Sequence, residues 1–178
     1  MPRKSLIYTD KYFYHITTRT KHMGWFKIPL EEVWDISIKA FLYAQEKRPV
    51  AVSQYVLMAN HYHMLVRTPN CDLDLFIYNF NKKFNGLLED EFTWGLITNE
   101  RYFKNVHCYI YQNPLRAKVV DRCEDYPYST LFYSSRHLQN PFPFVPLEHL
   151  ESDLDSINSC LVQPAQKLFC QGLVKTYF

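Results

Sequence analysis

The sequence predicts an α+β fold, a split βαβ sandwich in which an antiparallel sheet carries its helices on one face. Three observations predict it. Apolar periodicity alternates between a spacing near 2 and one near 3.6, giving the order β-α-β-β-α-β-α. Two strand-like runs, V-A-V-S-Q-Y-V-L-M and H-Y-H-M-L-V-R-T, are separated only by Ala59-Asn60, which forces a tight antiparallel turn. The chain has 178 residues, 47% hydrophobic and 21% charged, enough for one domain with a real core and unlike a disordered segment.

The elements follow in order. Tyr12 to Thr20 is rich in aromatic and β-branched residues and reads as the first strand. A helix follows, with Pro29 near its start, Glu31 and Glu32 in its first turn, and Lys47 and Arg48 closing it. Its apolar and small positions Val33, Trp34, Ser37, Ala40, Phe41 and Ala44 recur at helical spacing. The hairpin spans Val50 to Met58 and His61 to Thr68. From Asp72 to about Asp90 the pattern is helical again, with Leu73, Phe76, Ile77, Phe80, Phe84 and Leu87 on one side. A short strand is expected at Phe92–Ile97. Thr98 or Asn99 then caps a helix from Glu100 to about Gln112, where Pro114 limits it.

These elements make residues 1–135 one domain. Residues 136–178 form a C-terminal extension expected to pack on that domain, because the Pro-rich, aromatic stretch through Pro146 reads as extended chain lying on a body. A final helix is expected near Leu147–Leu161. There is no internal repeat and no low-complexity tract.

Aromatic content is 17%, with 14 Tyr and 13 Phe, which serves both core packing and the stacking of unpaired bases. The formal net charge of +2 is unevenly spread: residues 1–48 are net basic and residues 121–178 net acidic, so an anionic partner belongs toward the N-terminal half. Cys71, Cys108, Cys123, Cys160 and Cys170 contain no C-x-x-C pair and are odd in number, which argues against a disulfide framework or a thiolate zinc site and fits a reducing cytoplasm. No apolar run approaches the ~18 residues that span a bilayer, and no signal-peptide core follows Met1.

Two motifs carry chemistry. His61 and His63 are two apart on an expected strand, so both imidazoles leave the same face and can reach one metal ion. Tyr109 and Asn113 are four apart on an expected helix, so phenol and carboxamide are neighbours. Either pair alone describes ordinary structural residues: two strand histidines, or a core tyrosine followed by a helix-stop Asn-Pro. Together they supply a nucleophilic hydroxyl and a cation site, the two requirements of phosphodiester transfer without a hydrolytic water. Two imidazoles and an amide oxygen suit Mn²⁺ or Mg²⁺ in a site open to substrate, and imidazole favours Mn²⁺ at least as much as the harder Mg²⁺. A free phenol has a pKa of about 10, so Tyr109 needs help from that cation to act at neutral pH.

The segments V-L-M-A-N-H-Y-H-M-L-V and Y-I-Y-Q-N-P-L-R-A resemble the REP-associated tyrosine transposases, relatives of the single-tyrosine insertion-sequence transposases of the HUH superfamily. The resemblance runs from about Tyr14 to Tyr133 and includes Y-H-I-T-T-R, L-I-T-N-E-R-Y-F and Y-P-Y-S-T. It implies a ferredoxin-like fold, His61 and His63 as the metal-binding pair, Tyr109 as nucleophile, and Asn113 as third protein ligand with Gln112 in reserve. It further implies a bacterial enzyme that cleaves and rejoins single-stranded DNA at REP-like hairpins through a 5′-phosphotyrosine, acting as a monomer or homodimer. Between Asn81 and Trp94 the chain is shorter than many such relatives.

Phosphate binding near such a site needs cations, for which Arg3, Lys4, Arg19, Arg67, Lys82, Lys83 and Arg116 are the candidates. His15 on the first strand is expected to make a structural hydrogen bond near the metal position, and His107 to be structural. Two other readings remain open at this level. A non-catalytic single-stranded nucleic-acid module would use the same sheet architecture to stack bases. A metal-dependent hydrolase would need a general base, and no carboxylate has an evident place beside H-Y-H.

Overall fold

The computed structural model describes residues 5–22, 24–147, 150 and 153–160. Four strands form one antiparallel sheet in the order β2-β3-β1-β4, with β1 Phe13–Arg19, β2 Ala51–Leu57, β3 His61–Arg67 and β4 Thr93–Ile97. This is the strand order of a split βαβ sandwich, and the α+β class read from the sequence holds.

The alternation of side chains fixes two different faces. Tyr14 and Ile16 of β1, Val52, Tyr55 and Leu57 of β2, Tyr62, Met64 and Val66 of β3, and Trp94 of β4 enter the larger core. That core is closed by α1 (Leu30–Lys47) and α2 (Leu73–Lys82). Helix α1 buries the six positions that its periodicity selects, from Val33 to Ala44. Phe41 is its centre: its ring lies 4.8 Å from Tyr55, 4.5 Å from Phe80 and 4.1 Å from Phe142. Phe142 brings the chain beyond residue 135 into this core, and Val145 N donates to Val52 O at 2.8 Å.

The intervening strand positions face the other way, toward α3 (Glu100–Arg116). Val56, Leu65 and Ile97 pack there with Val106, Ile110 and Tyr111 in a second, smaller core. The two crossover helices therefore share one face as expected, and α3 lies on the opposite one. Periodicity reports that a helix is amphipathic, not which side of a sheet it covers. The C-terminal pieces α4 (Thr130–Ser134) and α5 (Leu154–Ser159) contribute Leu131 and Ile157 to the α3 side.

Two element ends differ from the sequence expectation. Helix α2 stops at Lys82 rather than near Asp90, because Asn85 and Gly86 take positive φ values of 47° and 80° and turn the chain. Phe84 still buries, but from a loop, in which Leu88 is buried and the expected Leu87 is only half-buried. Helix α3 runs through Pro114 to Arg116 instead of stopping before it. Proline lacks the N–H that would bond Ile110 O, and the Asn113 side chain supplies a substitute: its Nδ2 donates to Ile110 O at 3.3 Å and to Tyr109 O at 2.7 Å. At the other end Asn99 caps α3, accepting from Tyr102 N at 2.9 Å. Within the span expected as one helix, Leu147–Leu161, the described residues show a helix over Leu154–Ser159 that starts after its N-cap Asp153, whose side chain accepts from Ser156 N at 2.9 Å. Cys71, Cys108, Cys123 and Cys160 are free thiols, while Cys170 lies outside the described residues.

Candidate active site

The site is built where β3 and β1 pass beneath α3. The register pairs His63 with Thr17 and His61 with Arg19, and it places His15 one pair further along on the same face. The His61 and His63 Nε2 atoms are 3.1 Å apart. His61 Nδ1 lies 2.6 Å from Asn60 Oδ1, an oxygen that can only accept, so Nδ1 carries the proton and Nε2 is left with its lone pair. His63 Nδ1 lies 3.0 Å from His15 Nε2, so the buried His15 is the hydrogen-bonding neighbour that sets the orientation of His63.

Helix α3 brings the second motif onto these rings. The Tyr109 ring stands edge-on to His63 and His15, with centroid separations of 5.4 and 5.9 Å. It is half-buried. One turn on, Asn113 lies within hydrogen-bonding reach of His63. Both of its amide N–H groups are engaged by the carbonyls of Tyr109 and Ile110, so the atom presented to the imidazole is Oδ1. Four side chains from two distant segments thus converge on one spot.

Burial sets the electrostatics. Desolvation pushes the His63 imidazole well below its ordinary value, with the neighbouring His15 and His61 adding to it, and Asn113 opposes weakly. His15 is depressed to about 3, again by burial first and by His61 second. His61 is lowered by burial and by the Arg19 guanidinium. All three rings are therefore neutral at pH 7, the form in which imidazole ligates a metal. Burial raises the Tyr109 phenol, and Arg116 partly offsets this. The Arg116 guanidinium sits 5.8 Å from the Tyr109 ring centre.

The residues fit a divalent cation. An octahedral ion with bonds of about 2.1 Å separates adjacent ligands by about 3.0 Å, which the two Nε2 atoms match. Among the described residues, no group of three or more His, Cys, Asp or Glu side chains is placed to hold a metal. A cation here would have two imidazoles and the Asn113 amide oxygen as protein donors and would draw the rest of its shell from water and substrate oxygens. Such a set is open and weakly charged, suited to a metal that must also hold a phosphate.

The other sequence-derived candidates divide. Gln112, the reserve ligand, points elsewhere: its buried amide donates to Ile157 O at 2.7 Å and Cys160 O at 2.9 Å and ties α5 to α3. Adjacent residues on a helix are about 100° apart, so only one of Gln112 and Asn113 can face the sheet. His107 is buried beside Tyr111 at 5.3 Å. Arg19 and Arg116 are exposed and flank the cluster. Arg67 ends β3 at the far end from His61, with its guanidinium 5.7 Å from the Phe13 ring centre. Lys82 and Lys83 end α2 on the opposite side of the sheet, over Tyr78 and Tyr43. Arg3 and Lys4 lie outside the described residues. Asn60 was not singled out from the sequence; its only signal was its place in the tight turn directly before His61.

No helix among the described residues is long and apolar enough to cross a membrane. No family model matches the sequence, and no curated protein matches it. Among solved structures, a REP-associated tyrosine transposase bound to a REP hairpin superposes with a TM-score of 0.69 at 19% identity, over 82% of this chain and 92% of that one. The chain therefore shares the fold of that transposase across most of its length.

Proposed function

We propose that this protein is a metal-dependent transposase that cleaves and rejoins single-stranded DNA through Tyr109. The observation that carries the reading is the gathering of His61, Asn113 and the Tyr109 ring around His63. A fold shared with a hairpin-bound transposase supports the same class of substrate.

The chain's own residues assign the steps. Arg19 and Arg116 draw the phosphate backbone onto the exposed side of the cluster, since both are cations beside it. His61, His63 and Asn113 would hold Mn²⁺ or Mg²⁺, which when bound supplies positive charge at a non-bridging phosphate oxygen. Tyr109 Oη gives its proton to solvent and attacks phosphorus, forming the Tyr–O–P bond as the P–O3′ bond breaks. The departing oxygen takes up a proton from solvent and leaves as a 3′-hydroxyl, and the DNA 5′-phosphate stays on Tyr109. Attack of a 3′-hydroxyl on that phosphotyrosine restores the phosphodiester and frees the phenol. One bond is exchanged for another of the same kind, so no external energy source is needed.

The test is a single-stranded hairpin with unpaired flanks, labelled on the 3′ side of the cut, incubated with Mn²⁺. A labelled band of protein mass that resists denaturant is expected for the wild type, and none for Tyr109→Phe. Binding that survives chelator with no scission would instead assign a non-catalytic binding module, and cleavage unchanged by Tyr109→Phe would assign hydrolysis by water.

A further inference from the structure

We propose that Trp25 is a stacking platform for one unpaired nucleobase within a few nucleotides of the phosphate handled at His61 and His63. The inference deepens the nucleic-acid reading above and rests on it.

Trp25 is 79% exposed, the most exposed large apolar side chain among the described residues. Its position is not that of a loose loop. On one side of it, Thr20 N donates to Asn60 O at 2.9 Å; on the other, Phe26 N donates to Ala59 O at 2.8 Å. Phe26, Ile28 and Leu30 then pack against the larger core. The loop between β1 and α1 is thus fastened to the β2–β3 turn, and that turn is the one whose Asn60 holds His61 at 2.6 Å. Through these links the Trp25 and His61 Cα atoms are separated by at most about 16 Å, a few nucleotides of extended strand.

Charge selects the occupant. Residues 19–28 hold Arg19, Lys21, His22 and Lys27 and no carboxylate. Arg19, Lys21 and Lys27 are exposed, and Lys21 pairs at 3.4 Å with Asp90 from another segment. An exposed indole in a segment whose charged side chains are all basic matches a chain that is anionic along its backbone and aromatic along its bases. A duplex offers no free base face to it. An unpaired flank of a hairpin does.

The chain carries a built-in probe. It has three tryptophans, and the other two, Trp34 and Trp94, are 5% and 1% exposed. Any large change in tryptophan emission on binding at the surface reports Trp25. The experiment uses full-length Tyr109→Phe protein in chelator, so that cleavage and metal play no part, with dye-labelled hairpin DNA carrying unpaired flanks. Stacking is expected to quench the exposed emission with single-stranded flanks and not with a fully paired duplex. Trp25→Ala should weaken binding by about tenfold, while Trp25→Phe retains most of the affinity. Abasic nucleotides moved along the flank should reveal one position where the Trp25→Ala penalty disappears.

DNA binding with unchanged affinity in Trp25→Ala and no quenching overturns the proposal while leaving the nucleic-acid reading intact. A penalty that persists with abasic nucleotides at every position overturns it too, as does a change of oligomeric state in Trp25→Ala, which would make the indole a contact between copies. Failure of the unsubstituted protein to bind any single-stranded DNA overturns both readings together.

Discussion

His15 Nε2 faces His63 Nδ1 across 3.0 Å of buried space, so one strand's histidine orients the other's. A ligating imidazole needs its second nitrogen held by a partner, and loss of such a partner costs about 10–100-fold in metal affinity. His15→Ala should weaken Mn²⁺ binding by that order, with His15→Gln recovering part of it because the amide oxygen still accepts. Titration of the Mn²⁺ electron-paramagnetic signal measures both. Equal affinities in wild type and His15→Ala would remove His15 from the site.

The same burial makes the fold acid-sensitive. His15 titrates at about 3 in the folded chain and near 6.5 when unfolded, and His63 is also well depressed. Above pH 6.5 both states are neutral and nothing is lost. Below it the unfolded chain takes up protons that the folded chain refuses, so stability falls as pH drops from 6.5 toward 3. The slope is about 1.4 kcal/mol per pH unit for each such ring. Urea unfolding in chelator at pH 7, 6 and 5 should show this decline, and His15→Phe should flatten it.

Arg116 and Tyr109 give a prediction of opposite sign. Burial raises the phenol and the guanidinium lowers it, so Arg116→Ala should move the rise of adduct formation with pH to higher pH. Arg116→Lys should restore much of the profile, since the cation remains. A pH profile that does not move would show that the phenol ionises without electrostatic help from Arg116.

Gln112 and Asn113 are neighbours with different tasks. Gln112→Ala removes a buried hydrogen bond to Ile157 and a partly buried one to Cys160 and should destabilise the chain by about 1–3 kcal/mol, with faster hydrogen exchange in α5 and unchanged Mn²⁺ affinity. Asn113→Ala should do the reverse at the metal, lowering Mn²⁺ affinity. It also leaves Ile110 O without the donor that compensates for Pro114, so a drop in melting temperature is expected alongside. If Gln112→Ala is the variant that loses metal, the assignment of the two residues is inverted.

The core packing around Phe41 is tested separately. Its ring bridges α1, β2, α2 and the segment at Phe142, and Phe41→Ala should cost about 3–5 kcal/mol in urea unfolding.

The sequence by itself determined what depends on neighbours along the chain. The element order and most boundaries, the six buried positions of α1, and the shared face of His61 and His63 all follow from strand and helix periods. The local pattern does not set an element's end where a side chain or a left-handed residue acts on the backbone from outside that pattern. The Asn113 amide carried α3 past Pro114, and the left-handed pair Asn85-Gly86 ended α2 early. Tertiary structure alone decided which face α3 covers, that Asn113 rather than Gln112 meets His63, that His15 and Asn60 fix the two imidazoles, and that Arg67, Lys82 and Lys83 lie away from the site. Periodicity specifies a direction relative to one element's own axis. The rotation of one element against another is set by how two cores fill on opposite sides of the sheet, a property of the packed whole.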